Sequence, residues 1–197
     1  RYRAASGSER VKDSTLNDIT GDDITRTVRG ERYHLSAESF FQTNLDLVPA
    51  LIDSALGDAR GETAIELYGG DGLFTVPLAR RFANVIAVEG DAAASAFARR
   101  NLADASLSNA EVVNRDVGDW LVSAKGDFDF LLLDPPRTGA ESRVISGIVR
   151  MKPKRISYVS CDPATLARDL KKLIAGGYSL SSIQAFDMFP QSHHVEA

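Results

Sequence analysis

A chain of 197 residues, 44% hydrophobic and 25% charged, has the balance of one globular domain, or of one domain with a small appendage. No apolar run is long enough to span a bilayer, the first residues lack the pattern of a secretory signal, and the single cysteine, Cys161, excludes an internal disulfide, so a cytoplasmic setting is the expectation. The net charge is -4, and the basic residues are scattered at Arg80-Arg81, Arg99-Arg100 and from Arg150 to Arg155, which is not the basic face of a chain that grips a polyanion unaided.

In chain order, Ser6 to Asp23 is polar and without pattern. Ile24–Val28 and Glu31–Leu35 then read as two short strands around a turn at Arg29-Gly30. Residues 1–38 are therefore expected to be the remnant of a preceding small β-rich region, with the main domain over residues 39–197. A helix is expected at Leu45–Leu56. From Thr63 onward short apolar runs alternate with amphipathic segments. The predicted strands are Thr63–Tyr68, Asn84–Glu89, Ala110–Asn114, Phe128–Asp134, Arg155–Ser160 and Leu180–Phe186, and the predicted helices Leu73–Phe82, Ala92–Asp104, Glu141–Met151 and Pro163–Ala175. This alternation predicts an α/β fold, a doubly wound and mostly parallel sheet with right-handed crossovers.

Ligands of open α/β sheets bind beyond the carboxyl ends of the strands, and five successive strand ends here carry polar or reactive groups. They are Glu66-Leu67-Tyr68-Gly69-Gly70-Asp71-Gly72, then Glu89, Asp116, Asp134-Pro135-Pro136-Arg137 and Cys161. Gly70 and Gly72 permit a tight turn and a close approach of ligand to backbone, although a purely structural turn would look the same. Glu89 is placed to accept hydrogen bonds from the hydroxyls of a ribose. Asp116 suits an adenine amino group or, equally, a helix cap.

Cys161 follows the strand Ile156-Ser157-Tyr158-Val159-Ser160 and precedes Asp162-Pro163, a good N-cap and a good first helical residue. The sulfur is thus expected at a helix N-terminus, where partial positive charge favours the thiolate, and the strand-end position favours a nucleophile over a buried structural cysteine.

Four ordered segments now carry a resemblance. Ser160-Cys161-Asp162-Pro163-Ala164-Thr165-Leu166-Ala167-Arg168-Asp169 resembles the catalytic-cysteine motif of the S-adenosylmethionine-dependent RNA 5-methyluridine methyltransferases, which modify transfer or ribosomal RNA. Asp134-Pro135-Pro136-Arg137-Thr138-Gly139 resembles that family's fourth motif, and Asp187-Met188-Phe189-Pro190-Gln191-Ser192-His193-His194-Val195-Glu196 its C-terminal motif. Ser39-Phe40-Phe41-Gln42-Thr43-Asn44 resembles the segment before the methyltransferase fold.

The resemblance implies a Rossmann-like class I methyltransferase with Cys161 as nucleophile and Glu196 as base. It implies Gln42, Tyr68, Glu89, Asp116 and Asp134 around the cofactor, beside the turn at Gly70 and Gly72, with Phe40 near the target base; Arg137 suits stabilisation of enolate charge on that base or, equally, a salt bridge or phosphate contact. An RNA is the implied partner, with most of its grip outside this chain. The family commonly has asparagine where Leu73 stands and asparagine in place of Asp162. Its members usually carry an N-terminal RNA-binding barrel and continue past the glutamate into a last strand that inserts into the sheet. Neither is evident here.

The chemistry fits the residues. Addition of a thiolate to carbon 6 of uracil concentrates electron density on carbon 5. Methylation of an adenine amino group would place an aromatic residue after the prolines and need no cysteine. A 5-methylcytidine enzyme typically carries a Pro-Cys pair in the fourth motif. A non-catalytic RNA- or cofactor-binding module is the remaining alternative. His193 and His194 have no accompanying cysteine or carboxylate cluster, so no metal is expected.

Overall fold

The computed structural model describes residues 18–20, 23–36, 41–42, 44–188 and 195–197. A small antiparallel sheet comes first, of β1 (Asp18–Thr20), β2 (Asp23–Val28) and β3 (Glu31–Ser36). Arg29 and Gly30, both at positive φ (55° and 83°), close the β2–β3 hairpin with Val28 opposite Glu31. Two left-handed residues in a two-residue loop match the twist of the flanking strands. The hairpin stands where the sequence placed it. Strand β1 falls in the stretch read as patternless.

Helix α1 (Val48–Leu56) leads into β4 (Gly61–Leu67), α2 (Thr75–Ala79), β5 (Phe82–Glu89), α3 (Ala92–Asp104), β6 (Ala110–Asn114), α4 (Val117–Ser123), β7 (Phe130–Leu133), α5 (Ser142–Met151), β8 (Arg155–Tyr158) and α6 (Pro163–Ala175). The second sheet has the order β6-β5-β4-β7-β8, and every pairing in it is parallel. This is the predicted doubly wound α/β architecture, with the chain reversing direction across the sheet between β4 and β7.

Residues of the central strands alternate between two cores. Ala64, Val85, Ala87, Phe130 and Leu132 face α1, α2 and α3, and Tyr33 and Val28 of the small sheet join them. Ile65, Leu67, Val88, Leu131 and Leu133 face α4, α5 and α6. A strand buried on both faces must be apolar throughout, which is why β7 reads Phe-Leu-Leu-Leu. Helices α3, α4 and α6 start where polar caps satisfy their first N–H groups. Asp91 accepts from Ala94 N–H (2.8 Å), Asp116 from Asp119 N–H (2.9 Å) and Asp162 from Thr165 N–H (2.8 Å).

Two expectations need correction. Leu180–Phe186 is not a strand. Its only ladder partner among the described residues is Glu196, opposite Phe186, and Leu180 and Ile183 are exposed. A strand needs a neighbour along its length, and here β8 and this segment do not pair. Helix α2 is also shorter than Leu73–Phe82, because Phe82 already pairs with Gly61 as the first residue of β5.

Candidate active site

The loop after β4 turns on left-handed residues. Tyr68 (φ 64°), Gly70 (φ 54°) and Gly72 (φ 91°) all lie at positive φ, and the N–H groups of Tyr68 and Gly69 both donate to Val88 O (2.9 and 3.1 Å). A non-glycine residue held in this region is costly and concentrates at functional sites. Glu89, at the end of β5, braces the same loop: Oε2 accepts from Gly70 N–H (2.8 Å) and Oε1 from Asp91 N–H (2.7 Å).

Between these strand ends lies a cavity of about 430 Å³ lined by Phe41, Gln42, Tyr68, Gly70, Glu89 and Asp134, among others. Five predicted residues therefore meet at one cavity: Gln42, Tyr68, Gly70, Glu89 and Asp134. Gly72 and Asp116 do not line it. Gly72 sits beneath, where a Cβ would come 3.3 Å from Ala98 Cα. Asp116 caps α4 and pairs with Arg143 (3.0 Å), so its capping role is the one the geometry displays. Phe40, His193 and His194 lie outside the described residues. Phe41 is half-buried in the cavity wall and packs on Tyr33, ring centroids 5.9 Å apart.

Beside the cavity, the last residues of the chain meet the end of β8. Ser160 and Ala197 exchange both backbone hydrogen bonds (2.8 Å each), and Glu196 does the same with Phe186 (2.7 and 3.0 Å). In an antiparallel pairing of residues 160 and 197, the next pair along is Cys161 and Glu196. The thiol and the carboxylate come together although their positions are distant in the sequence.

The charges of this corner explain its titration. Burial pushes the Cys161 thiol up, the carboxylates of Glu196 and Asp134 push it further, and Arg137 opposes them. The expected preference for thiolate at the helix N-terminus is thus outweighed by desolvation and by two nearby carboxylates. Glu196 is itself buried and pushed up, with a hydrogen bond from the Gln42 amide partly offsetting the burial. Desolvation and then Glu196 raise Asp134 to about 8. Asp134 therefore stands electrostatically between the cavity and the Cys161–Glu196 pair.

Three polar residues to which the sequence assigned no role organise this region. Glu66 is buried in β4, accepts from Thr75 Oγ1, and is pushed up to about 8, chiefly by burial. Asn101 of α3 is fully buried, and its amide donates to Asp71 O (2.8 Å) in the glycine loop. Asp169 of α6 is fully buried beneath the loop that carries Arg137. A charge inside an apolar strand was a usable signal for Glu66. Among the described residues, no group of three or more His, Cys, Asp or Glu is arranged to hold a metal, and no helix is long and apolar enough to cross a membrane.

The profile of the tRNA (uracil-5-)-methyltransferases matches residues 15–120 and 121–197. The chain belongs to the tRNA (uracil-5-)-methyltransferase family. Among relatives, it is 42% identical over 169 residues to a Thermotoga maritima protein described as an RNA methyltransferase, a match covering 84% of this chain and 38% of that one. It is 39% identical over 164 residues to the 23S rRNA (uracil(1939)-C(5))-methyltransferase of Aeromonas salmonicida, covering 80% of this chain and 37% of that one. A solved structure, that of Pyrococcus abyssi tRNA (uracil-54, C5)-methyltransferase in complex with S-adenosyl-L-homocysteine, superposes with a TM-score of 0.80 at 36% identity, over 91% of this chain and 44% of that chain. The chain spans about two fifths of the length of these members of the family.

Proposed function

We propose that this chain is the catalytic part of an S-adenosylmethionine-dependent RNA methyltransferase that modifies carbon 5 of a uridine in transfer or ribosomal RNA through a covalent cysteine–uracil adduct. The observation that carries this reading is the juxtaposition of Cys161 and Glu196 by the Ser160–Ala197 pairing, next to Gln42 and Asp134 of a nucleoside-sized cavity. We further infer that residues 39–197 form the methyltransferase domain and residues 1–38 the tail of a preceding β-rich region.

The cavity fits the cofactor on its own evidence. A Cβ on Gly70 would meet nothing within 4 Å, so the backbone there lies open to a ligand. Gln42 Oε1 is buried with no hydrogen-bond partner among the described residues, an acceptor that awaits one. Gln42, Tyr68, Gly70, Glu89 and Asp134 would hold the cofactor, Glu89 accepting from ribose hydroxyls. Bound there, S-adenosylmethionine supplies an electrophilic methyl on a positively charged sulfur.

The chain's own groups do the rest. The Cys161 thiolate adds to carbon 6 of the uracil, and the electrons of the 5,6 double bond move toward the carbon 4 oxygen as an enolate. Arg137 stabilises that negative charge. Carbon 5 takes the methyl group. Glu196 then removes the carbon 5 proton, the double bond re-forms, and the thiolate leaves. Glu196 suits the task, since burial has raised its basicity toward the working pH. The target base must leave its stack to reach the sulfur, and Phe40 is the aromatic face on which it would pack.

Incubation of the chain with labelled cofactor and uridine-containing RNA tests this. Cys161→Ala abolishes both methylation and the denaturation-resistant protein–RNA adduct, whereas Glu196→Gln accumulates the adduct. Methylation that persists in the Cys161→Ala variant overturns the mechanism.

A further inference from the structure

Asp169 lies in the second turn of α6, a helix that begins beside Cys161, yet its carboxylate points away from the cavity and under the loop that follows β7. Oδ2 accepts from Ala140 N–H (2.9 Å) and from Tyr158 Oη (2.8 Å), and Oδ1 accepts from Arg168 Nε (2.9 Å). Arg168 Nη2 donates to Thr138 O (3.0 Å), and Thr165 Oγ1 donates to Arg137 O (3.3 Å). Residues 165, 168 and 169 of one helix thus hold residues 137, 138 and 140 of one loop. Gly139 completes the joint. Its φ is +74°, and a Cβ there would fall 2.6 Å from Asp169 Oδ2 and 2.5 Å from Arg168 Nη2, so only a bare backbone can approach so closely.

This attachment has a specific consequence. The loop carries the exposed Arg137, and the helix begins just after Cys161. A fully buried carboxylate satisfied by donors from the loop, from β8 and from its own helix is rigid, because releasing any one of them leaves a buried charge short of a partner.

We propose that Asp169 is a positioning residue for the reaction: by docking the 134–140 loop onto α6 it sets the Arg137 guanidinium beside the Cys161 thiol. The inference rests on the cysteine mechanism for its purpose, but its test does not. Among the described residues, the groups acting on the thiol are Glu196, Asp134 and Arg137, the first two raising its pKa and Arg137 lowering it. Asp162, at the start of α6, also feels Arg137. If Asp169→Asn frees the loop, Arg137 withdraws and the thiol becomes harder to ionise. The sign is diagnostic. Removing a negative charge near a thiol would by itself lower its pKa, so a rise that is absent in the Arg137→Ala background comes from the displaced arginine.

Cys161 is the only cysteine, so the pH dependence of its alkylation by iodoacetamide reads this group alone. The expected midpoint moves up by about one unit or less in Asp169→Asn, and equally in Arg137→Ala. Asp169→Asn adds nothing in the Arg137→Ala background. Gly139→Ala, which prises the loop away without touching a charge, reproduces the rise. Thermal melts and near-ultraviolet circular dichroism identify the folded variants on which the alkylation is read. An unchanged or lowered midpoint in folded Asp169→Asn and Gly139→Ala overturns the proposal, whatever the methylation activity. A raised midpoint in a chain whose Cys161→Ala variant still methylates leaves the positioning intact and removes the cysteine mechanism instead.

Discussion

Asn101 grips the peptide of His34 from both sides: its Oδ1 accepts from His34 N–H (2.7 Å) and its Nδ2 donates to His34 O (3.0 Å). The same Nδ2 donates to Asp71 O (2.8 Å), so one buried amide ties the small sheet, α3 and the glycine loop together. Each of these backbone groups is buried with little access to water, and a buried group left unpaired costs about 1–3 kcal/mol. Asn101→Leu is therefore expected to destabilise the chain by about 2–5 kcal/mol, seen as a lower urea midpoint. A loss within about 0.5 kcal/mol would mean that water or another group replaces the amide readily.

Gly70 and Gly72 are two residues apart and predict opposite outcomes. Both are left-handed, so alanine at either costs about 1 kcal/mol of backbone strain. At Gly72 the new methyl also presses on Ala98 Cα at 3.3 Å, so Gly72→Ala lowers stability well beyond strain alone. At Gly70 the methyl meets nothing and projects into the open space of the cavity. Gly70→Ala should keep most of the stability but weaken binding of S-adenosylhomocysteine by roughly tenfold or more, the equivalent of about 1.4 kcal/mol. Calorimetric titration beside a thermal melt separates the two. Equal losses of binding and stability at both positions would refute the distinction.

Glu66 makes stability depend on pH. Burial raises its folded pKa to about 8 from an ordinary carboxylate value of 4.5, so the folded state holds a proton that the unfolded chain releases. Its contribution is fully present below 4.5 and is lost as pH rises toward about 8, after which it is constant. Asp134, raised to about 8, acts in the same direction. Glu66→Gln keeps an oxygen for Thr75 and cannot ionise. Its melting temperature should therefore gain on the unsubstituted chain as pH rises from 5 to 8.5, and a gap that stays constant would show that Glu66 does not hold its proton.

The sequence made the framework legible because buried parallel strands have no polar face to obscure. Ala110–Asn114, Ala92–Asp104 and Pro163–Ala175 coincide with β6, α3 and α6 end to end, the last helix being announced by Asp162-Pro163. Helix α4 was hidden, since Val117 to Ser123 is short and Asp116, its cap, suited a strand-end ligand group equally well. Leu180–Phe186 misled for the opposite reason: it has the apolar content of a strand, but pairing depends on a neighbour that local composition does not encode. The same limit applies to the site. Cys161 and Glu89 announce themselves at strand ends, whereas Asn101 and Asp169 matter through partners 67 and 29 positions away, and no local pattern marks them.

The proximity of Glu196 to Cys161 sets a tension that can be measured without any RNA. In the proposed mechanism, the carboxylate that takes a proton from carbon 5 also raises the pKa of the thiol that must first lose one. At neutral pH the thiolate is a minor species, and its fraction grows with pH. The single-turnover rate of the proposed reaction should therefore climb from neutral into mildly alkaline solution. Glu196→Gln removes the repulsion while keeping the shape. Although it is expected to stall the proposed reaction at the adduct, it should make Cys161 more easily ionised, and alkylation at pH 7 should quicken several-fold, since a shift of one unit changes the thiolate fraction about tenfold. Slower or unchanged alkylation would place the carboxylate out of electrostatic reach of the sulfur, and Glu196 would then be too distant to serve as the base.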